Sequence, residues 1–269
     1  GLDIALHDLF ARRAGVPLAR LLDPSAAETV AAYASGIHVA AAPRAIGEAR
    51  AAGHRAFKVK VGFGRDEDVA MLGRAADACR DGEPLLADAN QAWDADEALA
   101  FLARVAEIGL GWLEEPIAAD APEACWARLT RASTVPLAGG ENIAGLPAFE
   151  AAIAAGSLSV LQPDVAKWGG VTGGGAVARR AIEAGRRYCP HFLGGGIGLA
   201  ASAHLLAAAG GDGLLEMDVN PNPLRDSFAV VRARVADGRF RLADTPGLGV
   251  EELPEEIGRF RTMSLSRHL

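Results

Sequence analysis

A chain of 269 residues, half of them hydrophobic, is long enough for one large α/β barrel or two smaller domains around a filled core. Its formal charge of −7 argues against a nucleic-acid partner, because lysine and arginine fall in short pairs such as Arg12-Arg13 and Arg179-Arg180 rather than in a stripe. Cys79, Cys125 and Cys189, an odd number without C-x-x-C spacing, argue against a disulfide framework or a structural zinc site and fit a reducing cytosol. No signal peptide or span-length apolar run is present.

Leu2, Ala5, Leu6, Leu9 and Phe10 recur at helical spacing between Asp3, Asp8 and Arg12, which predicts an amphipathic helix closed by Gly15 and Pro17. Gly1 leads almost directly into it, as in a piece of a longer polypeptide. A short buried turn over 18–22 and a break at Asp23-Pro24-Ser25 precede a strand over 29–35 and a helix over 40–52 ended by Gly53. From residue 56 the rhythm is regular. Strands over 57–61, 84–89, 111–115, 137–141, 158–165, 188–191 and 214–218 alternate with helices over 65–80, 95–107, 121–133, 146–155, 170–184 and 197–209. Eight strands joined by short loops predict an α/β fold, a single TIM-type (β/α) barrel over 29–218. A doubly wound sheet would put functional strand ends only near one switch point. After Asp218 the pattern changes to a turn cluster at 220–223 and a hairpin of strands over 228–235 and 239–242 around Asp237-Gly238.

Seven strands end in a titratable residue, Lys60, Asp88, Glu114, Glu141, Asp164, His191 and Glu216, at steps of 23 to 28 residues. A barrel places all of them on one rim. Asp88, Glu114 and Glu141 belong to consecutive strands and would repel one another unless a cation neutralised them. Oxygen-only ligands favour a hard divalent ion, Mg²⁺ before Mn²⁺. A helix cap or surface charge is the plainer reading of any single acid, but not of three on one rim. Glu115 alternates away from Glu114 and is expected to be structural.

Lys58 and Lys60 share one strand face, and burying both against the outer helices would be costly, so they are expected inside the barrel. That casts Lys60 as a general base and Lys58 as the holder of a substrate carboxylate. Asp164 and His191 end neighbouring strands, where a carboxylate fixes the tautomer of an imidazole and steadies its protonated form. No serine or cysteine stands as a nucleophile; Cys189 lies one layer below His191. His7, His38, His54, His204 and His268 lack such context and are expected to be structural. Glu216 is expected to donate a proton or hydrogen bond to a developing oxyanion if its surroundings keep it neutral, and Asn90 to reach the substrate. The glycines at 173–175 match G-x-G-x-x-A only within a helix start, and Gly194-Gly195-Gly196 lacks the Lys-Ser or Lys-Thr of a P-loop, so both groups are expected to serve tight turns.

Lys58-Val59-Lys60, Asp88-Ala89-Asn90, Glu114-Glu115-Pro116, Gly140-Glu141-Asn142, Pro163-Asp164 with Gly169-Gly170, His191 and Glu216 together resemble the enolase superfamily, in particular its mandelate racemase subgroup. The resemblance spans the barrel and implies an enolase C-terminal-domain-like fold with Mg²⁺ on Asp88, Glu114 and Glu141. It implies a substrate carboxylate polarised by the metal and Lys58, and an α-proton removed by Lys60 on one face or by His191 with Asp164 on the other. The metal, Lys58 and Glu216 would then stabilise the enediolate. Relatives of the muconate-cycloisomerising or dipeptide-epimerising kind carry a lysine where this chain has Asp164, which disfavours that branch. Lys167, at an odd offset, is expected off the Asp164 face.

Family members close the barrel mouth with an N-terminal α+β cap. Residues 1–28 are expected to be the end of such a cap, and the tail over 219–269 to carry its hairpin back toward it. An acid-sugar dehydratase, a hydro-lyase acting on a small carboxylate in the cytoplasm as a homo-oligomer, is the leading expectation. A 2-hydroxy-acid racemase or epimerase uses the same residues. A non-catalytic barrel with a lost cap is the alternative of another class.

Overall fold

The structure, a computed structural model, describes residues 1–231 and 234–263. Eight strands follow one another: β1 (Thr29–His38), β2 (Phe57–Lys60), β3 (Leu85–Asp88), β4 (Leu113–Glu114), β5 (Leu137–Gly139), β6 (Val160–Leu161), β7 (Arg187–Tyr188) and β8 (Leu214–Asp218). Each pairs in parallel with the next from β1 to β7, and β8 pairs in parallel with β1. Among the described residues no ladder joins β7 to β8. There the ring closes through the Leu214 N–H on Cys189 Sγ (3.3 Å) and the Phe192 N–H on Glu216 Oε2 (3.0 Å). Gly213 permits this approach, since a Cβ at that position would lie 1.9 Å from the Tyr188 carbonyl oxygen.

Helices α1 (Leu2–Ala14) and α2 (Leu18–Leu22) precede the barrel. The connections carry α3 (Ala42–Ala51), α4 (Arg65–Ala78), α5 (Ala95–Val105), α6 (Glu123–Ala132), α7 (Leu146–Ala155), α8 (Gly170–Glu183) and α9 (Gly196–Ala209), and α10 (Pro223–Asp226) follows β8. Local chemistry sets their limits. Asp94 and Glu97 form a reciprocal capping box at the start of α5, and Gly15 and Gly156 end α1 and α7 in the left-handed conformation. Alternation along the strands then makes two cores. Phe57, Val59, Leu85 and Leu113 face the helices and pack with Ile46, Leu72 and Phe101, each fully buried side chain of this size contributing about 1.5–3 kcal/mol. Tyr33, Ala56, Leu86, Trp112, Ala138, Val160 and Cys189 fill the inside of the barrel and form the floor of the site.

The tail departs from expectation. The strand expected over 228–235 is only Val235–Ala236 (β9), residues 228–231 lying in turn and irregular backbone, while 232–233 and His268 fall outside the described residues. The hairpin of β9 with β10 (Arg239–Arg241) adds antiparallel to Thr29–Ala31 at the N-terminal end of β1, while Gly247 further along the tail exchanges backbone hydrogen bonds with Val16 and Leu18 of the lead-in. The reason is a free edge: β1 pairs with β2 only from Ala34 onward, so its first residues need another partner. Among the described residues no helix is long and apolar enough to cross a membrane, and the three cysteines are free thiols.

Candidate active site

One step above the floor every inward position except Gly140 carries a polar side chain. Ala56 leads to Lys58 and Lys60, Leu86 to Asp88, Trp112 to Glu114, Val160 to Gln162 and Asp164, Cys189 to His191, and Leu214 to Glu216. Parallel register aligns them: Lys60 lies opposite Asp88 across the β2–β3 ladder, and Asp88 opposite Glu114 across β3–β4.

Lys58 is the centre of the lower layer. Its Nζ lies 2.7 Å from Glu114 Oε2, 2.7 Å from Glu216 Oε1 and 3.3 Å from Asp88 Oδ2, and its side chain is fully buried. The ammonium also stands 5.5 Å from the centre of the Tyr33 ring, which meets Trp112 edge-on. Burial works against the ammonium, but Glu114 and Glu216 outweigh it and hold its pKa well above the ordinary lysine value. Glu114 also accepts the Gln162 amide (2.7 Å) and the Trp112 indole N–H (3.3 Å). Burial and the neighbouring Asp88 nevertheless push its carboxyl up to about 8. Glu216 takes the Ser35 hydroxyl at 2.7 Å, and although burial raises its pKa, Lys58 and His191 bring it down to about 2. With the Lys58 ammonium, the Ser35 hydroxyl and the Phe192 N–H all directed at it, Glu216 stands here as an acceptor, so the neutral form expected to bond an oxyanion would require those contacts to change.

At the upper layer the His191 Nδ1–H donates to Asp164 Oδ2 at 2.8 Å, and Nε2 faces Glu141 Oε2 at 2.8 Å with Glu216 Oε2 at 3.8 Å. Burial pulls the imidazole down, yet the bonds to Asp164 and Glu141, with Glu216 behind them, raise it to about 10. Asp164 Oδ1 takes the Ala166 and Lys167 N–H groups, at 2.7 and 3.1 Å, so the carboxylate that holds the imidazole is itself held. Across the mouth, Lys60 Nζ donates to Asp88 Oδ2 (2.5 Å) and to Asn90 Oδ1 (2.7 Å). Burial opposes the Asp88 carboxylate, but Lys58 and Lys60 keep its pKa below the ordinary value.

Lys167 stands differently from its expected place. Its Nζ reaches Glu141 Oε2 at 2.7 Å, inside the site, because residues 165–169 coil into a turn in which strand alternation no longer applies. Together Lys167 and His191 overcome burial to hold Glu141 ionised. Ser35, Gln162 and Trp112 also contact site carboxylates and were not anticipated; Gln162 and Trp112 each sit two residues before a rim acid, so extending the period-two reading one layer down finds them, and Ser35 is the last residue of the strand expected over 29–35. His38, expected to be structural, stacks on Phe63 at the mouth, with ring centres 4.1 Å apart.

The fit of a divalent cation follows from this chemistry. Asp88 and Glu114 are adjacent and mutually repelled, and the inner carboxylates Asp88, Glu114, Glu141, Asp164 and Glu216 outnumber the cations Lys58, Lys60, Lys167 and His191. Among the described residues no three His, Cys, Asp or Glu side chains are gathered tightly enough to hold an ion, since Glu141 turns to His191 and Lys167 and the lysines meet Asp88 and Glu114. The donor set nevertheless suits Mg²⁺ in type and charge: all oxygen, in excess, and with Glu114 awaiting a stronger positive neighbour.

A family model described as "Enolase C-terminal domain-like" matches residues 38–256. D-galactarolactone cycloisomerase of Agrobacterium fabrum is 32% identical over 97% of this chain and 73% of its own length. A solved structure of a mandelate racemase/muconate lactonizing enzyme from Bordetella bronchiseptica is 51% identical with a TM-score of 0.91, covering 94% of this chain and 70% of that one. L-talarate dehydratase from a Polaromonas species, solved with Mg and L-glucarate, is 28% identical with a TM-score of 0.81, over 92% of this chain and 68% of that one.

Proposed function

Given that the chain belongs to the enolase superfamily, in the family of enolase C-terminal-domain-like barrels related to mandelate racemase, we propose that it removes the proton α to a carboxylate with the help of Mg²⁺ and that its reaction is the dehydration of a sugar acid. Asp88, Glu114 and Glu141 would hold the ion. Bound there, Mg²⁺ supplies Lewis-acid polarisation of the substrate carboxylate and so acidifies the α-carbon. Lys58, kept an ammonium by its buried partners, adds fixed positive charge where the enediolate builds up negative charge. Lys60, the lysine nearer the mouth, takes the α-proton.

The observation that carries the reading is the placement of His191. Its Nδ1–H is fixed on Asp164 at 2.8 Å, so Nε2 is the ring atom left to face the mouth, and Asp164, with Glu216 behind Nε2, favours the protonated ring, an Nε2–H donor. An acid facing a base across one mouth suits elimination: Lys60 withdraws the α-proton and His191 protonates the departing β-hydroxyl as water. A racemase would need His191 as a second base, whereas its tie to Asp164 favours the protonated ring. A sugar-lactone cycloisomerase is the second reading, supported by the likeness to the Agrobacterium enzyme over 97% of this chain.

The test is a screen of aldonic acids, aldaric acids and their lactones with Mg²⁺. Dehydration yields a 2-keto acid one water lighter, cycloisomerisation opens a lactone without loss of water, and racemisation inverts the α-carbon alone. A preparation that binds Mg²⁺ and gives none of these products would remove the proposal.

A further inference from the structure

We infer that Glu115 is a positioning residue whose buried carboxylate ties together the loops that follow Asp88, Glu114 and Glu141, and thereby sets the affinity of the site for its divalent ion. The inference rests on the Mg²⁺ reading of those three acids. Glu115 follows Glu114 directly, is 1% exposed and takes the left-handed backbone conformation, φ 39°, which an ordinary side chain adopts at a cost. One carboxylate oxygen, Oε2, accepts the Gln91 side-chain amide at 3.0 Å and the Asn142 side-chain amide at 2.7 Å. Gln91 lies three residues beyond Asp88, and Asn142 is the residue after Glu141. A single oxygen thus joins all three acid-bearing loops.

The backbone repeats the tie. The Glu115 carbonyl accepts the Gln91 N–H at 2.7 Å, its own N–H donates to the Ala138 carbonyl at 3.0 Å, and Gln91 Oε1 accepts the Ala119 N–H at 3.1 Å. Asn90 and Gln91, at φ 44° and 62°, share the left-handed conformation, so the turn beyond Asp88 is bent to meet Glu115. From the other side Gly140 carries the chain out of β5 at φ 144°, with its Cβ position 2.7–2.9 Å from the Gln162 backbone, where no side chain fits.

Fold stability does not explain a carboxylate here. Its other oxygen, Oε1, is buried and has no partner among the described residues, and burial raises the pKa despite the Asn142 and Gln91 bonds. A methionine of similar volume would fill the space without stranding that oxygen. What the carboxylate supplies is a fixed spacing: β4 has two residues and β5 three, so short ladders alone must resist the repulsion between the acids they carry.

The test is Mn²⁺ affinity by electron paramagnetic resonance, with the thermal midpoint measured without metal, for wild type, Glu115→Met and Glu115→Gln. The Gln variant keeps a carbonyl oxygen for both amides and turns its NH₂ toward the empty Oε1 side. Expected is an affinity loss of about 10–100-fold in E115M, a change of no more than about threefold in E115Q, and an E115M midpoint equal to or above wild type. Wild-type Mn²⁺ affinity in E115M overturns the inference, and so does an E115Q as weak as E115M, which would mean that charge rather than hydrogen bonding matters. If E115M does not fold, Asn142→Leu removes one tie from the opposite loop and must weaken Mn²⁺; unchanged affinity overturns the inference equally. A wild type that binds no Mn²⁺ removes the metal reading itself, an outcome distinct from normal wild-type binding with an unaffected variant.

Discussion

Asp164→Asn separates the contribution of charge at His191 from that of shape. Asp164 Oδ1 is held by the N–H groups of Ala166 and Lys167, at 2.7 and 3.1 Å, so an asparagine must place its oxygen there and point its NH₂ at His191 Nδ1. Two N–H donors cannot face each other; Nδ1 must give up its proton and become the acceptor, which moves the ring hydrogen to Nε2. Losing the charge-assisted bond costs the imidazolium about 1.5–3 kcal/mol, equivalent to about one to two pKa units. The inverted donor lowers it further. From about 10 in wild type, the His191 midpoint is expected to fall below about 8 in D164N. Nitrogen-15 NMR of the imidazole at pH 9 reads this directly: wild type mostly protonated on both nitrogens, D164N neutral and protonated on Nε2 alone. An imidazolium that persists in D164N at pH 9 would show that Asp164 does not set its state.

Lys58→Met leaves Asp88, Glu114 and Glu216 buried without their shared ammonium and should cost about 3–5 kcal/mol by urea unfolding at pH 7; a cost below about 1 kcal/mol would mean that Lys58 is not what neutralises the buried acids. Gly213→Ala drives a methyl group into the Tyr188 carbonyl where β7 meets β8, and is expected to lower stability by about 1–3 kcal/mol; a wild-type melting temperature would show that the closure is loose. Burial holds His54 and His204 down at about 4, whereas unfolded they titrate near 6.5. Their folded pKa values are depressed, so the stability they contribute is present above about pH 6.5 and is lost as pH falls toward 4, by roughly 3 kcal/mol each. In urea titrations across that window the double variant His54→Leu, His204→Asn should be the less acid-sensitive protein, the introduced amide oxygen in α9 still able to accept the Ala19 N–H; an unchanged slope would assign acid sensitivity to other groups.

The barrel was readable because each strand-and-helix unit repeats a local signal: an apolar run, a polar strand end, a loop and an amphipathic helix. The strands themselves are shorter than that signal. The run over 158–165 forms a strand only at Val160–Leu161: backbone bonds to the neighbouring strands reach from Ser159 to Gln162, and by Val165 the chain has entered a turn. Alternation likewise carried Lys58 and Lys60 to the inside. It failed at Lys167, where the chain turns after Asp164, and it could not show that Lys58 would be the hub of Glu114, Glu216 and Asp88, since that depends on the register of four separate strands. The gathering of Lys58 and His191 around Glu216 and the pairing of β10 with β1 are products of the same long-range geometry, which no local window contains.

The division of labour between Lys60 and His191 is tested most directly by α-proton exchange with D₂O, followed by NMR on a sugar acid that the screen shows to be turned over. Lys60→Met should abolish both exchange and product, whereas His191→Asn should still exchange the α-proton while losing at least about 10²-fold in 2-keto acid formation. Exchange that survives in K60M, or disappears in H191N with Mn²⁺ affinity intact, would contradict Lys60 as the base and His191 as the acid.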